Sequence, residues 1–157
     1  GKEVLSFLEK NHMIVDVAHL NDESFWDVLK TAKGPVISSH SCSRVLCNNE
    51  RNLTEDMFRA IMLTGGGVGI NFYTMFLNGT KTADIMDVVR HIDYFINLSA
   101  GKGVGIGSDF DGIEYAPGGL SGTGDLINLE TALEKEYGKT QSQMIMHKNM
   151  LDIINKI

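Results

Sequence analysis

Two histidines each close a short apolar run. Residues Met13 to Ala18 lead to His19, and Pro35 to Ser39 lead to His40. Between them Phe25, Val28 and Leu29 repeat with helical period. The order is strand, helix, strand, with an imidazole at the carboxyl end of both strands. In a parallel α/β barrel that end carries the chemistry, and neutral imidazole is a common zinc ligand. His19 and His40 are therefore candidate ligands of one metal ion. Either one alone reads equally well as a polar residue satisfied at a strand end. Their recurrence at equivalent points of adjacent units favours the metal. Two ligands do not make a site, so a third and fourth must come from elsewhere.

Asp109 closes a later run, Val104 to Gly107, at the same level. It is a candidate ligand, or a base that orients a metal-bound water. Asp109-Phe110-Asp111-Gly112 also reads as a turn, and Asp111 is assigned to the turn or to support of the site. Arg51 lies in the loop after the second strand, where a guanidinium suits bidentate capture of a carboxylate. Spacing alone leaves it a solvated surface arginine. Cys42, two residues from His40, is conceivable as a nucleophile with His40 as base. Residues so close rarely aim at each other, and no third orienting group is evident, so this reading ranks below the metal. Gly103-x-Gly105-x-Gly107 lacks the spacing of a dinucleotide fingerprint and reads as small residues in a tight strand. His91 reads as surface or helix packing, and His12 and His147 as solvent-facing or local.

The elements that must position these residues follow from periodicity and punctuation. A helix is expected over about residues 2–10, with Val4, Leu5, Phe7 and Leu8 at helical spacing. Asn21 or Asp22 can cap the next helix, and Gly34-Pro35 stops it. After a polar loop from Ser41 to Asn52, Thr54 caps a helix carrying Phe58, Ile61 and Met62. Gly65-Gly66-Gly67 opens a third run, Val68 to Phe72, followed by a loop to Thr82. The cleanest stripe is Ile85, Val88, Val89, Ile92, Phe95 and Ile96. Residues 113–124 form a Gly-rich loop. Two helices finish the chain, near 125–136 and 140–156, with Met146, Met150, Ile153 and Ile154 inward. Four βα units with strands apolar enough to be buried on both faces imply a parallel sheet. The expected fold class is α/β, the C-terminal half of a (β/α)8 TIM-type barrel. A whole barrel needs roughly 200 residues or more, whereas this chain has 157. Residues 1–157 are expected to form a single partial domain whose first half lies outside this chain. An open four-stranded sheet is the competing architecture.

Net charge is −6, which argues against nucleic acid and against an anionic membrane surface. No stretch is long and apolar enough to span a bilayer. The two cysteines, Cys42 and Cys47, make no zinc-knuckle pattern. A cytoplasmic location is the default expectation. The chain opens on Gly1 rather than methionine, inside or near a helix, which hints at sequence upstream.

Several segments together carry a resemblance. Asp16-Val17-Ala18-His19, Pro35 to Ser41, Arg51-Asn52-Leu53-Thr54, Gly69-Ile70-Asn71-Phe72-Tyr73, Asp87 to Asp93 and Gly105 to Gly112 resemble the renal (membrane) dipeptidase family, zinc-dependent peptidases of the amidohydrolase type. The match runs from Gly1 to near the C-terminus. It implies a (β/α)8 barrel holding two zinc ions bridged by a carboxylate and a water or hydroxide. It implies His19 and His40 as ligands of the second zinc, and Asp109 beside the bridging water as acid/base. It implies Arg51 as the grip on the free carboxylate of a dipeptide substrate, and Tyr73 as a further substrate-binding residue. The family's first-zinc His-x-Asp pair, bridging glutamate and another substrate-binding histidine belong to the first half of the barrel. They are expected outside this chain. Cys42 stands where a small residue is common, and His147-Lys148-Asn149 where a Gly-Asn pair is usual.

The expected activity of the intact protein is thus zinc-dependent hydrolysis of dipeptides. The alternatives are an inactive half barrel acting as an interaction module, and a related barrel metallohydrolase with another substrate. The partners implied are a dipeptide and the missing half of the barrel. Pairing with a second copy stays open.

Overall fold

The computed structural model describes residues 1–156. Its strands are β1 (Val15–Asp16), β2 (Val36–Ser41), β3 (Gly67–Asn71) and β4 (Val104–Ser108). They pair in parallel in the order β1-β2-β3-β4. The helices are α1 (Lys2–Lys10), α2 (Asp22–Thr31), α3 (Glu55–Leu63), α4 (Thr74–Leu77), α5 (Ile85–Ser99), α6 (Leu126–Gln143) and α7 (Asn149–Ile154). Each crossover advances one strand in the same direction. Right-handed crossovers then place the helices on one face, as along an arc of a (β/α)8 barrel. The α/β class with consecutive parallel βα units is the one the periodicity predicts. No helix among the described residues is long and apolar enough to cross a membrane.

Local chemistry explains the helix starts. Asn21 accepts from the Ser24 amide and Thr54 from the Met57 amide. Asp84 and Asp87 form a reciprocal capping box at the head of α5. The core lies between the sheet and these helices. Val36, Val68, Ile70 and Val104 meet Phe25, Phe58, Ile61, Val88, Ile92 and Phe95, all buried. Phe58 and Phe95 stack with ring centroids 4.3 Å apart. Each such side chain contributes about 1.5–3 kcal/mol by leaving water.

Several expectations are corrected. Only Val15–Asp16 of the first apolar run pairs as strand, and Met13 is exposed. The loop to Thr82 contains the short helix α4. The expected break between the final helices is present, at Gly138, whose φ of 78° interrupts α6. A π-helical segment, Met144–Lys148, then precedes α7. Ile154 is 55% exposed, not inward, while Ile153 is buried. In α1, Leu5 is buried but Val4 and Phe7 are exposed. Asn149 is buried and its amide donates to the Val104 and Gly101 carbonyls.

His91 departs most from its reading. It is 1% exposed. Its Nδ1 accepts from the Ser43 amide at 3.0 Å, and its Nε2 lies 2.8 Å from the Leu77 carbonyl. Those partners require a neutral ring with the proton on Nε2. Burial, and the Arg90 charge to a lesser degree, hold its pKa below the ordinary 6.5 against the opposing Leu77 hydrogen bond.

Glycine sets how near the strands come. A methyl group on Gly69 would strike the Ser39 carbonyl oxygen and come within 2.9 Å of the Gly107 Cα. A methyl group on Gly107 would strike the same Ser39 oxygen. The region around Gly122 is open. In urea unfolding of the complete protein, Gly69→Ala is expected to cost about 1–3 kcal/mol or more by overpacking. Gly122→Ala is expected to stay within about 0.5 kcal/mol of the parent. The neutral His91 yields a pH prediction. Its contribution to stability is full above the unfolded value near 6.5 and is lost as pH falls through the depressed folded value, because the unfolded state binds the proton more readily. Urea midpoints should fall with acidification below about pH 6.5, and His91→Gln should flatten that dependence. An unchanged slope in His91→Gln would contradict it.

Candidate active site

The polar ends of the strands meet at one rim. His19 sits three residues past β1 in a left-handed conformation, φ 73°, and Asp109 follows β4 with φ 68°. Left-handed backbone is uncommon outside glycine and is found where surrounding structure enforces it. Two of the four non-glycine residues in this conformation are thus candidate site residues. For His19 the enforcing contacts come from Asp16, whose Oδ1 accepts from the Ala18 amide at 2.9 Å and the Ser39 amide at 3.0 Å. One carboxylate oxygen therefore ties the chain leaving β1 to the end of β2.

His40 lies in β2 where the register with β3 shifts between Ser38 and Ser41. Its Nδ1 is 2.8 Å from the Ser39 hydroxyl, and its Nε2 is 2.8 Å from the Nε2 of His19. The two rings meet edge to face at 4.8 Å. Asp109 Oδ2 lies 4.0 Å from His40 Nε2 and accepts from the Asn71 amide at 3.1 Å. Burial lowers the His19 pKa, and the charges of Arg51 and His40 lower it further, outweighing Asp109 and Asp16. Neutral imidazole is the form that binds a metal. With its Nδ1 hydrogen on Ser39, His40 presents an Nε2 lone pair toward His19. The donor types suit zinc, and their number is short. Among the described residues no group of three or more His, Cys, Asp or Glu side chains is arranged to hold a metal ion. The residues present fit part of a metal site.

Arg51 and His19 line one cleft of about 400 Å³, together with Asp22, Arg44 and Glu50. The Arg51 guanidinium carbon stands 5.8 Å from the Phe76 ring centroid. Tyr73 meets Phe76 edge-on at 4.9 Å and stacks on Tyr115 at 6.5 Å. The Tyr73 amide donates to Asn71 Oδ1 at 2.6 Å. Asn71 thus joins Tyr73 to Asp109, and Phe76 joins Tyr73 to Arg51. All five candidate residues lie near or after the carboxyl ends of strands.

Cys42 does not join them. It is fully buried, its thiol faces the Asn71 carbonyl at 3.2 Å, and burial pushes its pKa far up. That is an inert thiol rather than a nucleophile. Asp111 is exposed in the 3₁₀ turn after Asp109. Three polar residues at the site escaped the sequence reading. Asp16 and Asn71 had a signal, since each is a polar residue inside an otherwise apolar run. Arg44 had none, because its partners lie 22 residues before it and six and eight residues after it.

A model of the membrane dipeptidase family, peptidase family M19, matches residues 1–157. A protein of Klebsiella pneumoniae described as lying in the pqqA 5′ region is 35% identical over 163 residues, covering 100% of this chain and 59% of that protein. An uncharacterized dipeptidase of Schizosaccharomyces pombe is 33% identical, covering 99% of this chain and 38% of the relative. This chain therefore spans about 40–60% of the length of these curated relatives. A crystal structure of a metallopeptidase from Rhodobacter sphaeroides, liganded with a phosphinate mimic of the dipeptide L-Ala-D-Ala, superposes with a TM-score of 0.93 at 28% identity. That match covers 99% of this chain and 45% of that one. On the family match across its whole length, this chain belongs to the membrane dipeptidase family of metallopeptidases.

Proposed function

We propose that this chain supplies part of a zinc-dependent dipeptidase active site, and that the complete protein hydrolyses dipeptides. The observation that carries this reading is the convergence of the His19 and His40 Nε2 atoms, 2.8 Å apart, beside the Asp109 carboxylate. Membership of a metallopeptidase family and the dipeptide mimic held by the Rhodobacter sphaeroides relative support it. Residues 1–157 would form one arc of a closed (β/α)8 barrel, with the remaining strands and metal ligands outside this chain.

His19 and His40 would hold one zinc ion through their Nε2 atoms. The chemistry that ion supplies when bound is Lewis-acid polarisation of a carbonyl and a lowered pKa for water. Asp109 is positioned to take the proton of the attacking water at Oδ2 and return it to the leaving amine. Asn71, hydrogen-bonded to the same oxygen, orients that carboxylate. Arg51 binds the substrate's free carboxylate through its two-pronged guanidinium. Tyr73 and Phe76 offer apolar surface beside it. Holding the free carboxylate at Arg51, a short way from His19 and His40, would favour substrates of two residues.

Arg51→Ala is expected to raise KM by about 10–100-fold, the worth of a charge-assisted hydrogen bond, with little change in kcat. Asp109→Asn is expected to lower kcat by about 10²–10⁴-fold with a small change in KM. Steady-state kinetics with a free dipeptide on the complete zinc-loaded protein check both, and a reversed division would refute these roles. His40→Ala should lower the zinc retained per chain after dialysis, measured by elemental mass spectrometry. Undiminished zinc would remove His40 from the ligand set.

A further inference from the structure

Arg44 makes more polar contacts than any role assigned so far uses. Its Nη1 and Nη2 donate to the two carboxylate oxygens of Asp22 at 2.8 and 2.9 Å. Its Nε donates to the Asn52 carbonyl at 2.7 Å, and Nη2 donates again to the Glu50 carbonyl at 2.8 Å. Glu50 and Asn52 are the two neighbours of Arg51 in the chain. Asp22 is the first residue of α2, three residues after His19. One guanidinium therefore spans the loop that carries His19 and the loop that carries Arg51. It holds the second loop by the peptide carbonyls on either side of Arg51.

Other contacts leave that loop little freedom. The Arg51 amide donates to Asn49 Oδ1 at 2.9 Å. The Asn52 side-chain amide donates to the Cys47 and Phe76 carbonyls at 2.9 and 2.8 Å. The Arg44 side chain is 19% exposed, and its bond to Asp22 raises its own pKa and lowers that of Asp22, so both stay charged. Only arginine offers a planar fork together with a third N–H direction. Lysine carries a point charge that cannot meet the Asp22 carboxylate and two backbone carbonyls in this arrangement.

We propose that Arg44 is a positioning residue that sets the Arg51 guanidinium at its distance from the His19 side of the metal site, so that the carboxylate end of the substrate is measured against the scissile bond. This rests on the reading of Arg51 as the carboxylate-binding residue. A positioned Arg51 binds carboxylate without first ordering its loop, and that ordering cost otherwise appears as weaker binding.

The test uses the complete zinc-loaded protein and compares a free dipeptide with its C-terminal amide. Arg51→Ala alone examines the underlying reading and should abolish the preference for the free carboxylate. If the preference survives, Arg51 is not the carboxylate residue and the role given to Arg44 falls with it. If the preference is abolished, Arg44→Gln decides the further inference. It is expected to raise KM for the free dipeptide by roughly tenfold, as for loss of a charge-assisted contact, with kcat within about twofold. Arg44→Lys should fail to restore it. In the Arg51→Ala background, Arg44→Gln should add almost nothing, because the two residues act on one interaction. Additive effects, an equal fall in kcat for both substrates, or an unchanged KM would each overturn the role of Arg44 and leave that of Arg51 standing. Should Arg44→Gln fail to fold, Asp22→Asn gives the same comparison. It removes the charge of the half-exposed partner and keeps both backbone contacts, so a smaller KM increase of the same kind is expected. No increase would overturn the proposal.

Discussion

The site depends on how closely the carboxyl ends of the four strands approach one another around Ser39. Its amide donates to Asp16 of β1, its hydroxyl meets His40, and its carbonyl oxygen fills the space that side chains on Gly69 of β3 and Gly107 of β4 would need. One residue thus touches all four strands. Side chains at those two positions would collide with the Ser39 carbonyl oxygen. The two glycines let β2, β3 and β4 close in, and the register shifts beside Ser38 and Ile70 turn the following side chains toward the rim. The His40–Asp109 separation of 4.0 Å follows from that approach.

Buried polar contacts add to the apolar packing of Leu53 and Leu77 in holding the loops beyond the strands. His91 anchors the backbone just after β2 and the end of α4, and Asn52 ties the same loop to Cys47 and Phe76. Losing one of these contacts would leave a buried polar group without a partner, which is costly. The arrangement suits a segment that must present a charged side chain from a rigid frame rather than bury one. It also explains why His91, far from any reacting group, is more buried than the histidines of the site.

Two residues on the rim pay for their positions in backbone conformation. His19 and Asp109 lie in the left-handed region, where Cβ crowds the following carbonyl oxygen. Each is held there by neighbours: Asp16 around His19, and the Asn71 amide on the Asp109 carboxylate. Glycine adopts this backbone at the least cost, and Asp and His adopt it more readily than most other residues. An imidazole and a carboxylate stand there, which fits residues kept for what their side chains do.

The sequence by itself determined the α/β class, the order of the βα units, the helix cap at Thr54, a choice of Asn21 or Asp22 for the cap of α2, and the residue types at the strand ends. Those properties are written in short-range periodicity, because a buried parallel strand, an amphipathic helix and a cap each need only a few neighbouring residues. It also supplied the family, through motifs whose spacing survives in one dimension. Tertiary structure alone decided that Asp16, Asn71 and Arg44 belong beside His19, His40, Asp109 and Arg51, that His91 is buried and neutral, and that Cys42 is inert. The physical reason is range. Arg44 finds Asp22 across 22 residues and Asn71 finds Asp109 across 38, and such contacts exist only after the strands have been brought into register.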